Sequence, residues 1–265
     1  MQLCRDAGNF HAMREISDYE EFAALCGGDT LCLWAAQGLD GRCRAWRSAD
    51  GRAVAVAAPA LAARDRLVVR GPADAAVGLA RDTLDLIGPS YRPLGDRELI
   101  GALVDGIPRL AGVASFGWMH RSRPATLPPA PGTARWLPGD ARWLPGTALP
   151  EVAAFLEASF PDSLAKPGAG PERWAGVLDQ TGRLVATGTL AWSAPAVALL
   201  AGIAVHPQAR GQGLGRDIAA FLLAEALHRH EAAALMVDDR NHTARHLYRS
   251  LGLHYQPVAA AALTG

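Results

Sequence analysis

The chain has 265 residues, of which half are apolar and a fifth are charged, and its 26 basic residues balance its 26 acidic ones. A zero net charge argues against a protein whose affinity comes from neutralising nucleic-acid phosphates. The 28 glycines and 18 prolines are too few for a disordered chain. The length suits one large or two ordinary globular domains with apolar cores of their own.

The cysteines and apolar runs indicate a reduced, soluble protein. The four cysteines lie within the first 43 residues, without a Cys-x-x-Cys spacing, at positions 4, 26, 32 and 43. The N-terminus has no apolar run typical of a signal peptide, and no stretch of about 18 apolar residues occurs. We therefore expect buried or free thiols, a cytoplasmic location and no membrane partner.

Residues 1–122 predict an α+β or α/β domain built from short elements. We expect strands at 31–37, 43–47, 53–58, 66–70 and 113–119, and helices at 72–87 and 97–104. The following segment, 123–132, is too rich in proline for a helix or a central strand, and it predicts an extended linker. A second domain then covers residues 133–265.

The second domain predicts a clearer series of elements. We expect a helix at 150–160, a Pro- and Gly-rich loop at 161–172, a hairpin of strands at 184–192 and 196–205, a helix, a strand at 233–237, a helix and a strand at 253–258. The run 196–205 is almost wholly apolar, which is typical of a strand buried on both faces.

The segment that follows Val205 has the features of an anion site. The strand ends at His206-Pro207, and the turn Arg210-Gly211-Gln212-Gly213-Leu214-Gly215-Arg216 leads directly into a helix. The first N–H groups of a helix have no intrahelical partner, and the helix dipole favours negative charge there. The glycines allow a phosphate to approach the backbone, and the two arginines add matching charge. The turn is neither a Walker loop nor a G-x-G-x-x-G turn.

This turn is similar to the Arg/Gln-x-x-Gly-x-Gly/Ala turn of the GNAT superfamily, the acyl-coenzyme A N-acyltransferases. A second element, Asn241-x-x-Ala244-x-x-Leu247-Tyr248-x-x-Leu251-Gly252-Leu253, resembles the family's Asn-x-x-Ala-x-x-x-Tyr-x-x-x-Gly-Phe, with leucine in place of the final phenylalanine. The resemblance covers roughly residues 133–258. It implies an α/β (α+β) fold with a mixed, mostly antiparallel central sheet flanked by helices.

The resemblance also implies an activity: an N-acetyltransferase that moves an acetyl or short acyl group from acetyl-CoA to an amine. The acceptor, a small molecule or a peptide, attacks directly in a ternary complex, and no metal takes part. By the same resemblance, the backbone of Ile203, Ala204 and Val205 contacts pantetheine, and the turn of Arg210, Gly211, Gln212, Gly213, Leu214, Gly215 and Arg216 holds the pyrophosphate. Asn241 contacts the cosubstrate. A strand N–H near Val205 polarises the thioester carbonyl, and Tyr248 protonates the leaving thiolate.

Other interpretations of these residues stay open. Tyr248 fits the apolar stripe of an amphipathic helix, and Asn241 fits the N-cap of that helix. The general base is open between Glu172, Asp162, His206 and Asp238, with a water chain or capture of the neutral amine favoured over all four. His242 and His246 have metal-like spacing, but a solvated helix face is favoured. A non-catalytic acyl-CoA sensor is the alternative function.

The N-terminal domain resembles a degenerate half of the same fold. Its strand at 66–70 leads into Arg70-Gly71-Pro72-Ala73-Asp74, where proline has no N–H to offer a phosphate. We expect this domain to bind or shape the amine substrate. Its tryptophans at positions 34, 46 and 118 line a cleft in that hypothesis, or lie in the core. The sequence specifies no oligomeric state.

Overall fold

The computed structural model describes residues 13–124, 140–169 and 173–263, which fall into two compact units. Within these ranges, unit 1 contains the residues up to Pro59, Arg64–Ala114 and those from Ala259 onward. Unit 2 contains Ala60–Ala63 and Ser115–Val258. The predicted linker lies outside the described residues from position 125 onward.

Unit 1 contains a sheet and four helices among its described residues. Its elements are β1 (Arg14–Ile16), α1 (Tyr19–Cys26), α2 (Thr30–Ala36), β2 (Arg44–Arg47), β3 (Val54–Leu61), β4 (Arg64–Arg70), α3 (Ala73–Ile87), β5 (Arg92–Asp96), α4 (Arg97–Gly106) and the start of β6 (Leu110–Ser122). The strand order is β1-β2-β3-β4-β5, in which β4 and β5 are parallel. Apolar side chains of α3 and α4, including Leu84, Ile100 and Leu103, pack with Leu67 of β4 in one buried cluster.

The predicted strand at 31–37 is wrong, because these residues form helix α2. The Asp29 side chain accepts hydrogen bonds from the N–H groups of Leu31 and Cys32, both at 3.0 Å, and thereby caps the helix. A short apolar run does not distinguish a strand from a buried helix by its periodicity. The aspartate two residues before the run was the signal for the helix.

Unit 2 contains the second set of elements. They are the end of β6, β7 (Arg142–Trp143), α5 (Leu149–Ser159), β8 (Arg173–Leu178), β9 (Leu184–Leu190), β10 (Val197–Val205), α6 (Leu214–Arg229), β11 (Ala232–Val237), α7 (His242–Ser250) and most of β12 (His254–Leu263). The strand order from β6 is β6-β11-β10-β9-β8-β7. Strands β10 and β11 are parallel, and the pairs β6/β11, β9/β10, β8/β9 and β7/β8 are antiparallel. The predicted mixed, mostly antiparallel sheet with flanking helices is confirmed.

The structure contains elements that were not predicted, namely β1, α1, β5, β7 and β8. Residues 117–122 of β6 pair with β11 and belong to unit 2, and the chain returns to unit 1 within β12, at Ala259. Strand β8, which was not predicted, follows the Pro- and Gly-rich loop. Its hydrogen bonds to β9, rather than a strong alternation of its own, define it as a strand.

Helices α5 and α6 cover opposite faces of the sheet in unit 2. Alternate residues of a strand point to opposite faces, and the paired residues Ala175 and Gly188 face α6, whereas Trp174 faces α5. Ile218 and Leu222 of α6 lie so close to Gly188 that a Cβ there would be 2.9 and 2.8 Å from them. Central strand β10 is therefore covered on both faces, as its apolar sequence predicted.

Candidate functional site

The parallel strands β10 and β11 diverge part-way along their length. Their pairing runs from Val197 opposite Ala232 to Leu200 opposite Leu235, and it ends there. Strand β10 continues for five more residues, to Val205. The β11-facing edge of residues 201–205 is therefore without a strand partner, and an opening forms between the two strands.

A β-bulge marks the closed end of this opening. Ala201 pairs with Thr189 of β9 and Ala204 with Thr187, so the two residues 202 and 203 of β10 oppose the single residue 188 of β9. Gly202 lies in the bulge with φ of 61°, a left-handed conformation that favours glycine. An isolated glycine inside a buried strand is the sequence signal for such a bulge.

Backbone alternation determines which groups face the opening. The N–H of His206 donates to the carbonyl of Val185, on the β9 side, at 2.9 Å. Because neighbouring residues of a strand direct their N–H and C=O groups to opposite sides, Val205 and Ile203 direct theirs toward the opening. Ala204 directs its groups toward β9, so its predicted backbone contact is less well placed than those of its two neighbours.

The turn at 210–216 connects the open end of β10 to helix α6. Gly211 and Gly213 have φ of 79° and 86°, and Gly213 is the N-cap of α6 without a side-chain cap. Among the described residues, none accepts a hydrogen bond from the N–H groups of residues 211–215. The turn therefore presents a row of free donors at the positive end of a 16-residue helix, which is suited to an anion.

Both predicted arginines lie at this turn and are exposed. The Arg210 Nε donates to the Val205 carbonyl at 3.5 Å, and the Arg216 Nη1 donates to Ser250 Oγ at 2.5 Å. Ser250 in turn donates to the Leu247 carbonyl at 2.6 Å. Ser250 thus orients Arg216 from the end of α7, a role that no local pattern in the sequence indicated.

Helix α7 brings the second motif to the same domain. Tyr248 is buried in the cluster that contains α6 residues such as Ile218, and burial raises the pKa of its phenol to about 12. Its hydroxyl donates to no described residue. Asn241 is exposed and accepts a hydrogen bond from the Ala244 N–H at 3.0 Å. The N-cap interpretation of Asn241 is confirmed, and its contact with a cosubstrate stays a prediction.

The described candidates for the general base are poorly suited to that role. Asp238 is exposed and paired with Arg240 at 3.0 Å, and the hydrogen bond from that guanidinium lowers the pKa of its carboxyl. His206 Nδ1 accepts a hydrogen bond from the Gln208 N–H at 3.4 Å, so this nitrogen already has a partner within its own turn. Asp162 is exposed, and Glu172 lies outside the described residues. Strands β9 and β10 contain no titratable side chain.

The corresponding strands of unit 1 do not diverge. Strand β4 pairs with β5 from Arg66 to Val68, and a Cβ on Gly95 would be 2.6 Å from the Val69 carbonyl oxygen. The two strands therefore stay in contact at their carboxyl ends. At the start of α3, the Asp74 carboxylate accepts from the Arg52 guanidinium at 2.7 Å, which puts a negative charge of the chain itself in the first helical turn.

Several other predicted features have clear outcomes. Trp34, Trp46 and Trp118 are at most 2% exposed, so they are core residues and not the lining of an open cleft. Cys26, Cys32 and Cys43 are buried free thiols, and Cys4 lies outside the described residues. His242 and His246 are both exposed. Within the described ranges, no cluster of His, Cys, Asp and Glu side chains has the arrangement of a metal site.

Comparison with known proteins identifies the C-terminal domain. The sequence model of the acetyltransferase (GNAT) family matches residues 143–253, which contain the opening, the 210–216 turn and helix α7. The matched residues, which make up less than half of the chain, correspond to a GNAT domain. The predicted family resemblance is confirmed for this domain, and the family generally transfers acyl groups from acyl-CoA to amines.

Solved structures share the fold over most of the chain at low sequence identity. A GCN5-related N-acetyltransferase from Sphaerobacter thermophilus is 15% identical, with 96% of this chain and 95% of that chain covered and a TM-score of 0.56. A GCN5-related N-acetyltransferase from Kribbella flavida is 16% identical, with 81% of this chain and 87% of that chain covered and a TM-score of 0.54. A Drosophila protein is 14% identical, with 95% of this chain and 98% of that chain covered and a TM-score of 0.61. No curated protein matches the sequence. None of the described helices has both the length and the apolar character needed to cross a membrane.

Proposed function

We propose that the predicted catalytic domain, residues 133–265, is an N-acetyltransferase that uses acetyl-CoA as its cosubstrate. The observation that carries this proposal is the opening between β10 and β11, which leads from unpaired strand backbone to the free donors of the 210–216 turn. A ligand with an anionic end and an amide-containing arm matches these two parts. Coenzyme A has a pyrophosphate and a pantetheine arm in that order.

The residues present fit this cosubstrate. The N–H groups of residues 211–215 would bind the pyrophosphate, with Arg210 and Arg216 supplying positive charge. The groups of Ile203 and Val205 that face the opening would pair with the amides of the pantetheine arm. Acetyl-CoA supplies a thioester, whose carbonyl oxygen gains negative charge when an amine attacks. Of the two residues, Ile203 lies nearer the closed end of the opening, and its N–H would donate to that oxygen.

Tyr248 is suited to the role of general acid in this reaction. Its raised pKa of about 12 keeps the phenol protonated at neutral pH, so a proton is available for the departing thiolate. Its hydroxyl has no competing acceptor among the described residues. Because the described candidate bases are exposed, paired with a guanidinium or hydrogen-bonded to a backbone N–H, we propose that the amine loses its proton to water or enters neutral.

We propose that unit 1 is a degenerate GNAT-like half that binds no acyl-CoA and instead contributes to substrate selection. Apart from the additional helix α2, its element order from β1 to β6 matches the order strand, helix, three strands, helix, strand, helix, strand that runs from β7 to β12. Strands β4 and β5 stay in contact at their carboxyl ends, so unit 1 has no opening for a pantetheine arm. The Asp74 carboxylate lies at the start of α3, where a pyrophosphate would need positive charge.

Isothermal titration of the full chain with acetyl-CoA tests the binding part of the proposal. A free-thiol assay of the same sample with pooled amines, including peptides with free N-termini, tests the transfer part. We expect binding at one site per chain and thiol release with at least one pool. Binding without release from any pool would favour the acyl-CoA sensor, whose support is the lack of a titratable side chain on β9 and β10. Lack of binding would refute the proposed site.

A further inference from the structure

The opening between β10 and β11 has a closed end as well as an open one. The 210–216 turn lies at the open end, beyond Val205, and the strands rejoin at Leu200 and Leu235. A pantetheine arm that starts at the turn and follows β10 backwards reaches Gly202 last. The acyl group, at the far end of that arm from the pyrophosphate, therefore points to the closed end.

One face of the closed end is filled by Trp174. This residue of β8 pairs with Thr189 of β9, which pairs with Ala201 of β10, so the three lie side by side across the sheet. The indole extends across β9 to the bulge, where a Cβ on Gly202 would be 2.8 Å from both Cη2 and Cζ3. The side chain is 1% exposed, and Ala165, also 1% exposed, lies beside it.

The α6-facing side of the closed end and its boundary in the plane of the sheet are filled as well. On the α6 face, Ile203 packs in the same cluster as Ile218 and Leu222, both fully buried. In the plane of the sheet, the pairing of Leu200 with Leu235 closes the opening. A longer acyl chain would have to displace a buried side chain on one of these three sides, and well-packed cores accommodate extra methylenes poorly.

We propose that Trp174 limits the length of the acyl group that this domain accepts, so that acetyl-CoA fits and medium-chain acyl-CoAs do not. This inference rests on the proposed function, since it places the acyl end of the cosubstrate at Gly202. Trp174 is the bulkiest buried side chain on this face, so its substitution can free the most volume. It contacts the bulge through the outer ring of its indole. Its role is to determine specificity, through the volume of that ring.

The test is a titration of the full chain with free CoA and with acetyl-, butyryl- and hexanoyl-CoA. For the wild type we expect similar affinity for CoA and acetyl-CoA, and affinity for hexanoyl-CoA lower by on the order of a hundredfold, since one methylene too many in a filled pocket costs about tenfold or more. In Trp174→Leu, the affinity for hexanoyl-CoA should rise by about tenfold or more, while that for free CoA stays within a few-fold.

Two further variants separate volume from other effects. Trp174→Phe lacks the outer ring carbons that approach Gly202 and should give the same relaxation with a smaller loss of packing, which covers the case in which the leucine variant does not fold. Trp143→Leu removes a tryptophan of the same domain that packs against Phe221 at 5.4 Å between ring centroids, and it should keep the wild-type preference.

The outcomes distinguish this inference from the proposed function. Equal affinity of the wild type for all four ligands would overturn the inference and leave the proposed function in place. A chain-length preference that is unchanged in both Trp174 variants would also overturn it. Failure of the wild type to bind free CoA would overturn the proposed function, and this inference with it.

Discussion

Replacement of Gly202 by alanine tests the geometry of the bulge on which the site depends. The residue has φ of 61°, and a left-handed conformation costs a residue with a Cβ about 1–2 kcal/mol. The new Cβ would also be 2.8 Å from two carbons of the Trp174 ring, and overpacking of this kind costs about 1–3 kcal/mol. Together these terms predict a loss of about 2–5 kcal/mol in the free energy of unfolding.

Urea unfolding of the full chain, followed by far-ultraviolet circular dichroism, measures this loss. With a denaturant dependence of about 1–3 kcal/mol per M, the midpoint of the transition that reports unit 2 should fall by on the order of 1–2 M. Gly215→Ala is the matched control, because its Cβ would be 3.5 Å from Val205 Cγ2, an ordinary contact, and it lies in a helix, where alanine is favoured by about 0.5–1 kcal/mol.

A double mutant separates the two terms. In a Trp174→Phe background the outer ring carbons are absent, so Gly202→Ala should retain only the conformational cost of about 1–2 kcal/mol. If Gly202→Ala unfolds at the same urea concentration as Gly215→Ala, the bulge conformation and the ring contact described above are refuted.

The remaining predictions concern ligand binding and catalysis. Tyr248→Phe should lower kcat by about 10²–10⁴-fold with the Kd for acetyl-CoA within a few-fold, measured by thiol release and titration, and an unchanged kcat would make the residue a core tyrosine only. Because the pKa of Tyr248 is raised to about 12, the chain should lose stability between pH 10 and 12, where an unfolded tyrosine ionises more readily, and thermal unfolding of Tyr248→Phe should lack that part of the loss. Arg210→Ala should raise the Kd for CoA by about 10–100-fold, whereas Arg229→Ala, which removes the same charge at the far end of α6, should not, and equal effects of the two would contradict a local phosphate contact. Gly213→Ala should weaken CoA binding by about tenfold or more through its φ of 86°, as titration would measure, and wild-type affinity would show that the turn tolerates a side chain there.

Local sequence determined much of the second half of this chain. The apolar run at 196–205, the glycine turn at 210–216 and the stop at Gly252 each have a strong physical cause within a few residues: burial on both faces, the left-handed conformation, and a helix end at φ of 82°. Tyr248 and Asn241 were placed correctly on their helix for the same reason, since helical periodicity brings Ala244, Leu247 and Tyr248 to one side.

Tertiary structure alone decided the rest, because it depends on residues that are distant in the sequence. The contact between Arg216 and Ser250 and the position of Trp174 at Gly202 each join segments that are distant in the sequence, and no local period indicates either of them. The same holds for the opening itself. Strands β10 and β11 diverge while β4 and β5 stay in contact, and which of these occurs is set by hydrogen-bond register and packing across the sheet rather than by the strand sequences.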